Sequence, residues 1–176
     1  MAENTAALRA LARLRSESEL MFSLQRKGAI EIEGEGPQPY RVYKVTVFGE
    51  TYIKPEDENS KPRLSSGPHV FRIEAKANYP IKDAPIVQFL TVPPAHVNVF
   101  GRGQVCIGQW SPKETLASET VRTLRVLFLD SATYNFDSVA DNDMLDFCHG
   151  HKGGIPNGFP LPCPVFLDDK QGYIEK

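Results

Sequence analysis

The chain has 176 residues, 41% of them hydrophobic and 24% charged, which is the composition of a globular protein with one domain. Its formal net charge of −2 excludes the strongly basic surface that binds nucleic acids or anionic membranes, so we expect neither as a partner. Three cysteines, an odd number at wide spacing, argue against a disulfide framework. Since the amino terminus also lacks an uninterrupted apolar core, a reducing, cytoplasmic setting is favoured.

The first predicted element is a helix near the amino terminus. Thr5 can cap this helix and Gly28 can end it. Its apolar side chains recur mostly at spacings of three, four or seven residues, which predicts one buried face: Leu8, Leu11, Leu14, Met21 and Phe22. Three arginines lie away from most of that face: Arg9, Arg13 and Arg15.

Four strands are predicted to follow the helix, at residues 29–33, 40–48, 69–77 and 86–92. Alternating apolar and polar side chains, or many β-branched and aromatic ones, mark these stretches. Their connections are mostly short, which implies an antiparallel meander. Residues 54–68 are polar and interrupted by prolines, so they are predicted to form a loop.

The periodic pattern stops at residue 93 and returns at residue 113, and the irregular segment between contains Cys106. Residues 113–129 then have apolar side chains at helical spacing, and a further helix is predicted near residues 139–148. This order predicts an α+β domain at residues 1–149, with one sheet and helices packed against it. Residues 150–176 are predicted to be a proline- and glycine-rich tail.

Cys106 occurs in the sequence HVNVFGRGQVCIGQWSP, in polar surroundings with glycines on both sides. A structural cysteine prefers apolar neighbours, so this position favours a reactive thiol. A thiolate can hold an acyl group as a thioester, which reacts with amines more readily than an ester or an amide does. Because this chemistry requires neither a metal nor an organic cofactor, we expect none.

Several motifs resemble those of the ubiquitin-conjugating enzyme (E2) family, and more particularly its bacterial relatives. YPIKDAP at 79–85 resembles the Tyr-Pro-Phe-Lys-Pro-Pro turn after the family's third strand, and HVN at 96–98 resembles its His-Pro-Asn signature. Cys106 follows Asn98 by eight residues, the usual interval between the family's asparagine and its catalytic cysteine. Trp-Ser-Pro at 110–112 matches the tripeptide before the family's second helix. The resemblance extends from the first helix to Cys148 and implies a UBC-like fold.

The chain departs from the common family pattern at several positions. Val97 replaces the proline of the signature, and Gly108 stands where an aspartate is common. Trp110 follows the cysteine by four residues, closer than in many eukaryotic members. The loop at 54–68 is longer than usual, and the tail lacks the extra carboxy-terminal helices of the eukaryotic pattern. These differences favour a divergent, prokaryotic member, for which antiviral defence is a family-level expectation.

The resemblance implies a function for Cys106. This residue would accept the carboxy-terminal glycine of a ubiquitin-like modifier from an E1-like activating enzyme and transfer it to a lysine or another amine of a target protein. ATP would be used by the activating enzyme. Asn98 has two alternative roles: its amide donates a hydrogen bond to the oxyanion, or it only fixes the active-site loop. His96 is expected to fix the same loop. The remaining signature residues are expected to serve packing and turns: Tyr79, Pro80, Pro85 and Trp110.

Catalysis also requires a neutral amine, and the family uses a polar or acidic gate beyond the second helix for this purpose. The matching segment here is SATYNFDSVADND at 131–143, in which Asp137 or Ser138 is nearest the expected position. Ordinary surface polarity is the alternative interpretation.

Two partner surfaces are also implied by the resemblance. Arg9, Arg13 and Arg15 could contact the activating enzyme. Ile81 and Lys113 occupy the positions that contact a RING-type ligase, where phenylalanine and alanine are frequent. A lysine at 113 favours an enzyme that acts without a ligase.

Three other interpretations stay open. A cysteine hydrolase would use Cys106 with His96, although such enzymes usually take the histidine from a distant segment. A zinc site could use Cys148, His149, His151 and Cys163, but these residues lack the usual paired spacing and can be explained by an exposed helix end. A non-catalytic E2-like scaffold is the third, and inactive variants of that kind typically lose the cysteine.

Overall fold

The computed structural model of the protein describes residues 2–57 and 60–150, apart from the side chains of residues 2–6 and 131. The predicted tail, with His151 and Cys163, lies outside the described residues except for Gly150. In chain order the elements are α1 (Ala2–Ser23), β1 (Ile30–Glu35), β2 (Val42–Val47), β3 (Thr51–Ile53), β4 (Arg63–Ser65), β5 (His69–Glu74), β6 (Ile86–Phe89), α2 (Leu116–Leu127) and α3 (Leu145–Gly150), with 3-10 turns at Ser131–Thr133 and Asn142–Met144.

The main sheet is the predicted antiparallel meander, in the order β1-β2-β5-β6. Its register places Val45 opposite Phe71, and Phe71 opposite Phe89. All three side chains are buried, because alternate residues of each strand face the helices that cover one side of the sheet. The α+β class predicted from the sequence is therefore confirmed.

A second, two-stranded sheet is absent from the sequence-based predictions: β4 lies within the stretch predicted as a loop, residues 54–68, and β3 lies directly before it. Strands β3 and β4 pair antiparallel, with Thr51 opposite Ser65 and Ile53 opposite Arg63. Thr51 and Ile53 are buried, whereas β4 is exposed along most of its length, so only β3 of the pair contributes buried side chains. Thr51 also donates a hydrogen bond to the carbonyl of Leu127 at the end of α2.

Helix α1 differs from its prediction at its beginning. The helix starts at Ala2, so Thr5 lies within it and does not cap it. Its described buried side chains are Leu14, Glu17 and Met21, and Leu8 is 60% exposed. The predicted apolar face is therefore buried only along the second half of the helix, where it meets the sheet and α2.

The core lies between the inner face of the main sheet and the two longer helices. Leu14 and Met21 of α1 and Leu116 and Leu124 of α2 belong to one buried cluster with the inner side chains of the sheet. Helix α2 is capped by Thr115, which accepts a hydrogen bond from the backbone N–H of Ser118. In the described part of the chain, none of the helices combines the length and apolar character required to cross a lipid bilayer.

A buried carboxylate joins α1 to α2. Glu17 is fully buried, and its Oε1 accepts hydrogen bonds from Arg13 Nε at 2.7 Å and from the Tyr79 hydroxyl at 2.6 Å. Its Oε2 accepts the backbone N–H of Leu116, the first residue of α2, at 2.8 Å. The negative charge therefore lies at the positive end of the α2 dipole. Burying a charge is costly, and these three donors offset the cost.

We expect Glu17→Gln to lower the free energy of unfolding by about 3 kcal/mol, because it leaves Arg13 without its anion and removes one acceptor. The measurement is urea unfolding followed by circular dichroism. Glu19→Gln, an exposed position on the same helix, is the matched control and should change stability by less than about 0.5 kcal/mol. Equal losses in both variants would contradict the role of Glu17.

Candidate active site around Cys106

The irregular segment between β6 and α2 folds back on itself, which brings Asn98 and Cys106 together. Bridges pair Val99 with Val105, and the Cys106 N–H donates to the Asn98 carbonyl at 2.8 Å. Gly103 makes the reversal possible: its φ is +85°, and a Cβ there would lie 3.1 Å from the Phe89 carbonyl. The eight-residue interval between Asn98 and Cys106 is therefore the number of residues that this chain reversal requires.

Cys106 is partly exposed, in contrast to the buried Cys148. Gly108, two residues later, has a φ of +75° and turns the chain toward Trp110. The Trp110 indole donates to the Pro80 carbonyl at 3.0 Å, and its ring packs against Tyr79 with centroids 5.6 Å apart. The chain on the carboxyl side of the thiol is thus anchored to the turn before β6.

The Asn98 side chain is buried and all its hydrogen-bonding groups bind backbone. Its Nδ2 donates to the carbonyls of Asn135, at 3.0 Å, and Ser138, at 2.9 Å. Its Oδ1 accepts the Asn135 N–H at 2.8 Å. This pattern assigns the amide orientation and uses both amide hydrogens. Of the two roles expected for Asn98, the geometry corresponds to fixing a loop, and the loop is the predicted gate segment.

His96 is buried, with each ring nitrogen in a hydrogen bond. Nδ1 accepts the Asn98 N–H at 3.1 Å. Nε2 lies 2.9 Å from the Thr133 hydroxyl, which donates its own hydrogen to the Asp130 carbonyl, so Nε2–H is the donor. Burial, with smaller effects from the positive charges of Lys54 and Arg122, lowers the pKa of His96 to about 3. The imidazole is therefore neutral and holds the loop.

Lys54 and Asp141 form a largely buried ion pair that contacts the same loop. The sequence did not indicate this pair. The Lys54 ammonium contacts Asp141 Oδ2 and donates to the Val99 carbonyl. The Val97 carbonyl accepts the backbone N–H groups of Ala140 and Asp141, at 2.8 and 3.0 Å. Burial lowers the pKa of Lys54 despite the hydrogen bond to Asp141. Residues 96–99 and 133–141 are thus one hydrogen-bonded unit.

The two candidate gate residues lie on this unit. Asp137 and Ser138 are both exposed. The backbone N–H of Asp137 donates to Asn135 Oδ1 at 3.1 Å, and the Ser138 carbonyl accepts from Asn98. The structure therefore brings the gate segment to Asn98, whose own carbonyl binds the Cys106 N–H.

The predicted partner-binding residues are not equally accessible. Arg9, Arg15, Ile81 and Lys113 are exposed, with Ile81 at 78%. Arg13 is instead bound internally, to Glu17 and to the carbonyl of Glu114.

Arg122 and Glu119 form a charged pair on α2 that the sequence did not predict. Arg122 binds the backbone at Cys106 and at the next residue. Arg122 Nη2 donates to the Cys106 carbonyl at 3.3 Å, and Nη1 donates to the Ile107 carbonyl. Glu119, one turn earlier, is buried with Oε2 3.5 Å from Arg122 Nη1. Its Oε1 has no hydrogen-bond partner among the described residues. Burial raises the pKa of Glu119 to about 7, against a smaller opposing effect of Arg122.

The residues of the zinc hypothesis that are described do not form a cluster. Cys148 is buried and its thiol donates to the Ala95 carbonyl at 3.5 Å, and burial raises its pKa. His149 is exposed and stacks on Phe136, with ring centroids 4.2 Å apart. Within the described ranges, no group of three His, Cys, Asp or Glu side chains is placed to hold a metal ion.

No protein-family model and no curated protein matches the sequence. Among solved structures, the chain is similar to a Plasmodium vivax ubiquitin conjugating enzyme E2, with 19% identity and a TM-score of 0.47, over 65% of this chain and 98% of that one. It is also similar to human ubiquitin-conjugating enzyme E2 G1, with 18% identity and a TM-score of 0.48, over 68% of this chain and 94% of that one. At these identities the likeness concerns the fold and not the chemistry.

We expect the stability contributed by Glu119 to depend on pH. Its folded pKa of about 7 lies above the ordinary 4.5, so the folded state is favoured below pH 4.5 and this advantage is lost as the pH rises toward 7. Glu119→Gln removes the ionisation and should therefore be more stabilising at about pH 8 than at about pH 4.5, by at most about 3 kcal/mol. Urea unfolding at both pH values measures the difference. Glu31→Gln, at an exposed position on β1, is the control, and a pH-independent effect of Glu119→Gln would contradict the prediction.

Proposed function

We propose that this protein is an E2-like conjugating enzyme that carries a ubiquitin-like modifier as a thioester on Cys106. The observation that carries the proposal is the juxtaposition at the return of the irregular segment. The Cys106 thiol is partly exposed, and the backbone N–H of the same residue donates to the Asn98 carbonyl. The side-chain amide of Asn98 binds the gate segment at 135–138. That Asn98 binds both the Cys106 backbone and the polar segment supports the proposal that the two act at one site.

The reaction has two steps. First, the Cys106 thiolate attacks the carbonyl carbon of the modifier's thioester on an E1-like activating enzyme; a new C–S bond forms and the E1 thiolate leaves. Next, an amine of the target attacks the Cys106 thioester; the C–N bond forms, the C–S bond breaks and the Cys106 thiolate is released. The amine loses one proton, and we assign assistance in its release to Asp137 or Ser138, the exposed polar residues of the segment that Asn98 binds. ATP is used only by the activating enzyme.

The bonding of His96 favours conjugation over the cysteine hydrolase. A hydrolase needs an imidazole that can take the proton of the thiol. Both ring nitrogens of His96 are used within the loop, and its depressed pKa makes it a poor base. Exchange with another thioester needs no resident imidazole, because the proton that the Cys106 thiol loses is balanced by the proton that the departing E1 thiolate takes up. Retention of a partly exposed cysteine likewise favours an enzyme over a non-catalytic scaffold.

The proposal also includes the exposed residues that are predicted to bind partner proteins. Arg9 and Arg15 on α1 are the candidates for binding the activating enzyme, since Arg13 is bound internally. Ile81 and Lys113 are candidates for a ligase surface, and the charge of Lys113 favours an enzyme that transfers without a ligase. A prokaryotic cytoplasmic setting and a role in antiviral defence remain predictions from the sequence.

Incubation with the cognate activating enzyme, ATP and modifier should produce an adduct that a thiol reductant cleaves. Cys106→Ser should replace this adduct with an oxyester that resists the reductant and yields to hydroxylamine. Cys163→Ser, which keeps the proposed nucleophile, is the control and should load like the parent protein. The measurement is non-reducing electrophoresis with and without reductant. A reductant-sensitive adduct that persists in Cys106→Ser would refute the assignment.

Asn98→Ala removes three hydrogen bonds to the gate segment, so we expect it to slow discharge to free lysine by at least about tenfold. Loading from the activating enzyme should change much less, because it does not use the gate. Single-turnover discharge of the preloaded protein separates the two steps, and hydrogen exchange at 135–138 reports release of the segment. Equal losses in loading and discharge would instead indicate general damage to the loop.

A further inference from the structure

We propose that Arg122 is a positioning residue for Cys106, acting through the backbone on the carboxyl side of the thiol, and that Glu119 orients its guanidinium. The inference rests on the proposed function for its catalytic consequence, and on hydrogen bonds of the described residues for its geometry. Neither residue belongs to the signature by which the chain resembles a known family.

The Cys106 residue is held from both sides. Its N–H donates to the Asn98 carbonyl at 2.8 Å, and its carbonyl accepts from Arg122 Nη2 at 3.3 Å. The same guanidinium donates through Nη1 to the Ile107 carbonyl. Two successive carbonyls are thus bound by two nitrogens of one planar group, which is the geometry that the fork of an arginine supplies.

The guanidinium is attached to a rigid part of the molecule. Arg122 lies in the middle of α2, between Val121 and Thr123, which are both buried. The segment that it holds is short and irregular: Gly108, with its φ of +75°, follows directly. Backbone outside helices and sheets needs other hydrogen-bond partners, and Arg122 supplies them at the residue where the acyl group would be attached.

Glu119 explains why the guanidinium stays in place. The Arg122 side chain is 40% exposed and could otherwise extend into solvent, whereas the Glu119 side chain is 4% exposed. Their closest atoms are 3.5 Å apart, and Glu119 Oε1 has no partner among the described residues. A buried carboxylate with an unused oxygen is costly, so its placement beside Arg122 is best explained by attraction to that charge.

The consequence for the reaction follows from the need for alignment. An amine attacks the thioester carbonyl along a defined direction, and small displacements of the reacting atoms slow such steps considerably. A Cys106 backbone fixed on both sides limits the directions that the thioester can take. Loss of Arg122 should therefore slow discharge, while the thiol itself remains present and able to load.

The test compares Arg122→Gln with Arg125→Gln. Arg125 is on the same helix, and it forms an ion pair with Asp130, a residue beyond the end of α2. The first readout needs no partner protein: amide hydrogen exchange at residues 105–108 under native conditions. We expect exchange at least about tenfold faster in Arg122→Gln and no change in Arg125→Gln. Without the charged donor at the Cys106 and Ile107 carbonyls, the segment opens more often, and opening breaks the hydrogen bonds of the Val105 and Cys106 N–H groups. Arg122→Lys should be intermediate, and serves as the second variant should Arg122→Gln fold poorly.

Glu119→Gln separates local from global effects. At about pH 8 it should speed exchange at 105–108 while raising the free energy of unfolding of the whole protein, two changes that a general loss of stability cannot produce together. Unchanged exchange at 105–108 in the Arg122 variants, or equal acceleration in Arg125→Gln, would overturn the positioning role.

The second readout is single-turnover discharge of the thioester to free lysine. We expect Arg122→Gln to load to the same extent as the parent protein and to discharge at least about tenfold more slowly. Discharge at the parental rate, together with faster exchange, would overturn the catalytic consequence. If the parent protein forms no thioester at all, the proposed function fails, and the exchange experiment still decides whether Arg122 holds Cys106.

Discussion

The arrangement of the helices around the sheet depends on the carboxylate of Glu17. It binds Arg13 within α1, Tyr79 in the turn before β6 and the first backbone N–H of α2, so three separate parts of the chain share one charge. Tyr79 in turn packs on Trp110, which ends the segment that contains Cys106. Because a buried charge is stabilised only by its donors, each of these parts stabilises the position of the others. The position of the thiol is therefore connected to the core of the protein.

Around the thiol, the polar side chains mostly bind the protein's own backbone. His96 and Asn98 bind the segment at 133–138, and Lys54 binds the Val99 carbonyl in the same hydrogen-bonded unit. Arg122 holds the chain beyond Cys106. Regular helices and sheets satisfy their backbone internally, but irregular segments require such side chains. The site thus consists of a large supporting network and few groups that remain accessible for chemistry.

The sequence predicted the fold best in helices and strands whose side chains alternate regularly between the core and the surface. Alternation along β2 and β5 predicted the sheet, and helical spacing predicted α2, because each inner position meets the same core. The pairing of Asn98 with Cys106 also followed from spacing, through the family resemblance. These features are local, so a linear pattern is sufficient to reveal them.

Buried charges could not be recognised in this way. The burial of Glu17 and Lys54 depends on contacts tens of residues distant in the chain, with Leu116 and Asp141. Glu119 is buried by its position on the inner side of α2, beside Arg122. Strand β4 was missed for a related reason, since it has three residues, mostly exposed, and is too short to show an alternation of apolar and polar side chains. For Arg13, the sequence indicated a solvated face that could meet a partner, whereas the side chain binds Glu17 and the Glu114 carbonyl.

The tight return at Gly103 has an evolutionary consequence. Its positive φ and the tight contact that a Cβ would make with the Phe89 carbonyl disfavour a side chain, and the bridge between Val99 and Val105 sets the number of residues in the turn. Insertions or deletions between Asn98 and Cys106 would move the two out of register, so descendants of this gene should keep that interval even as their composition drifts. The exposed strand β4 carries no such restriction, and length variation should accumulate there.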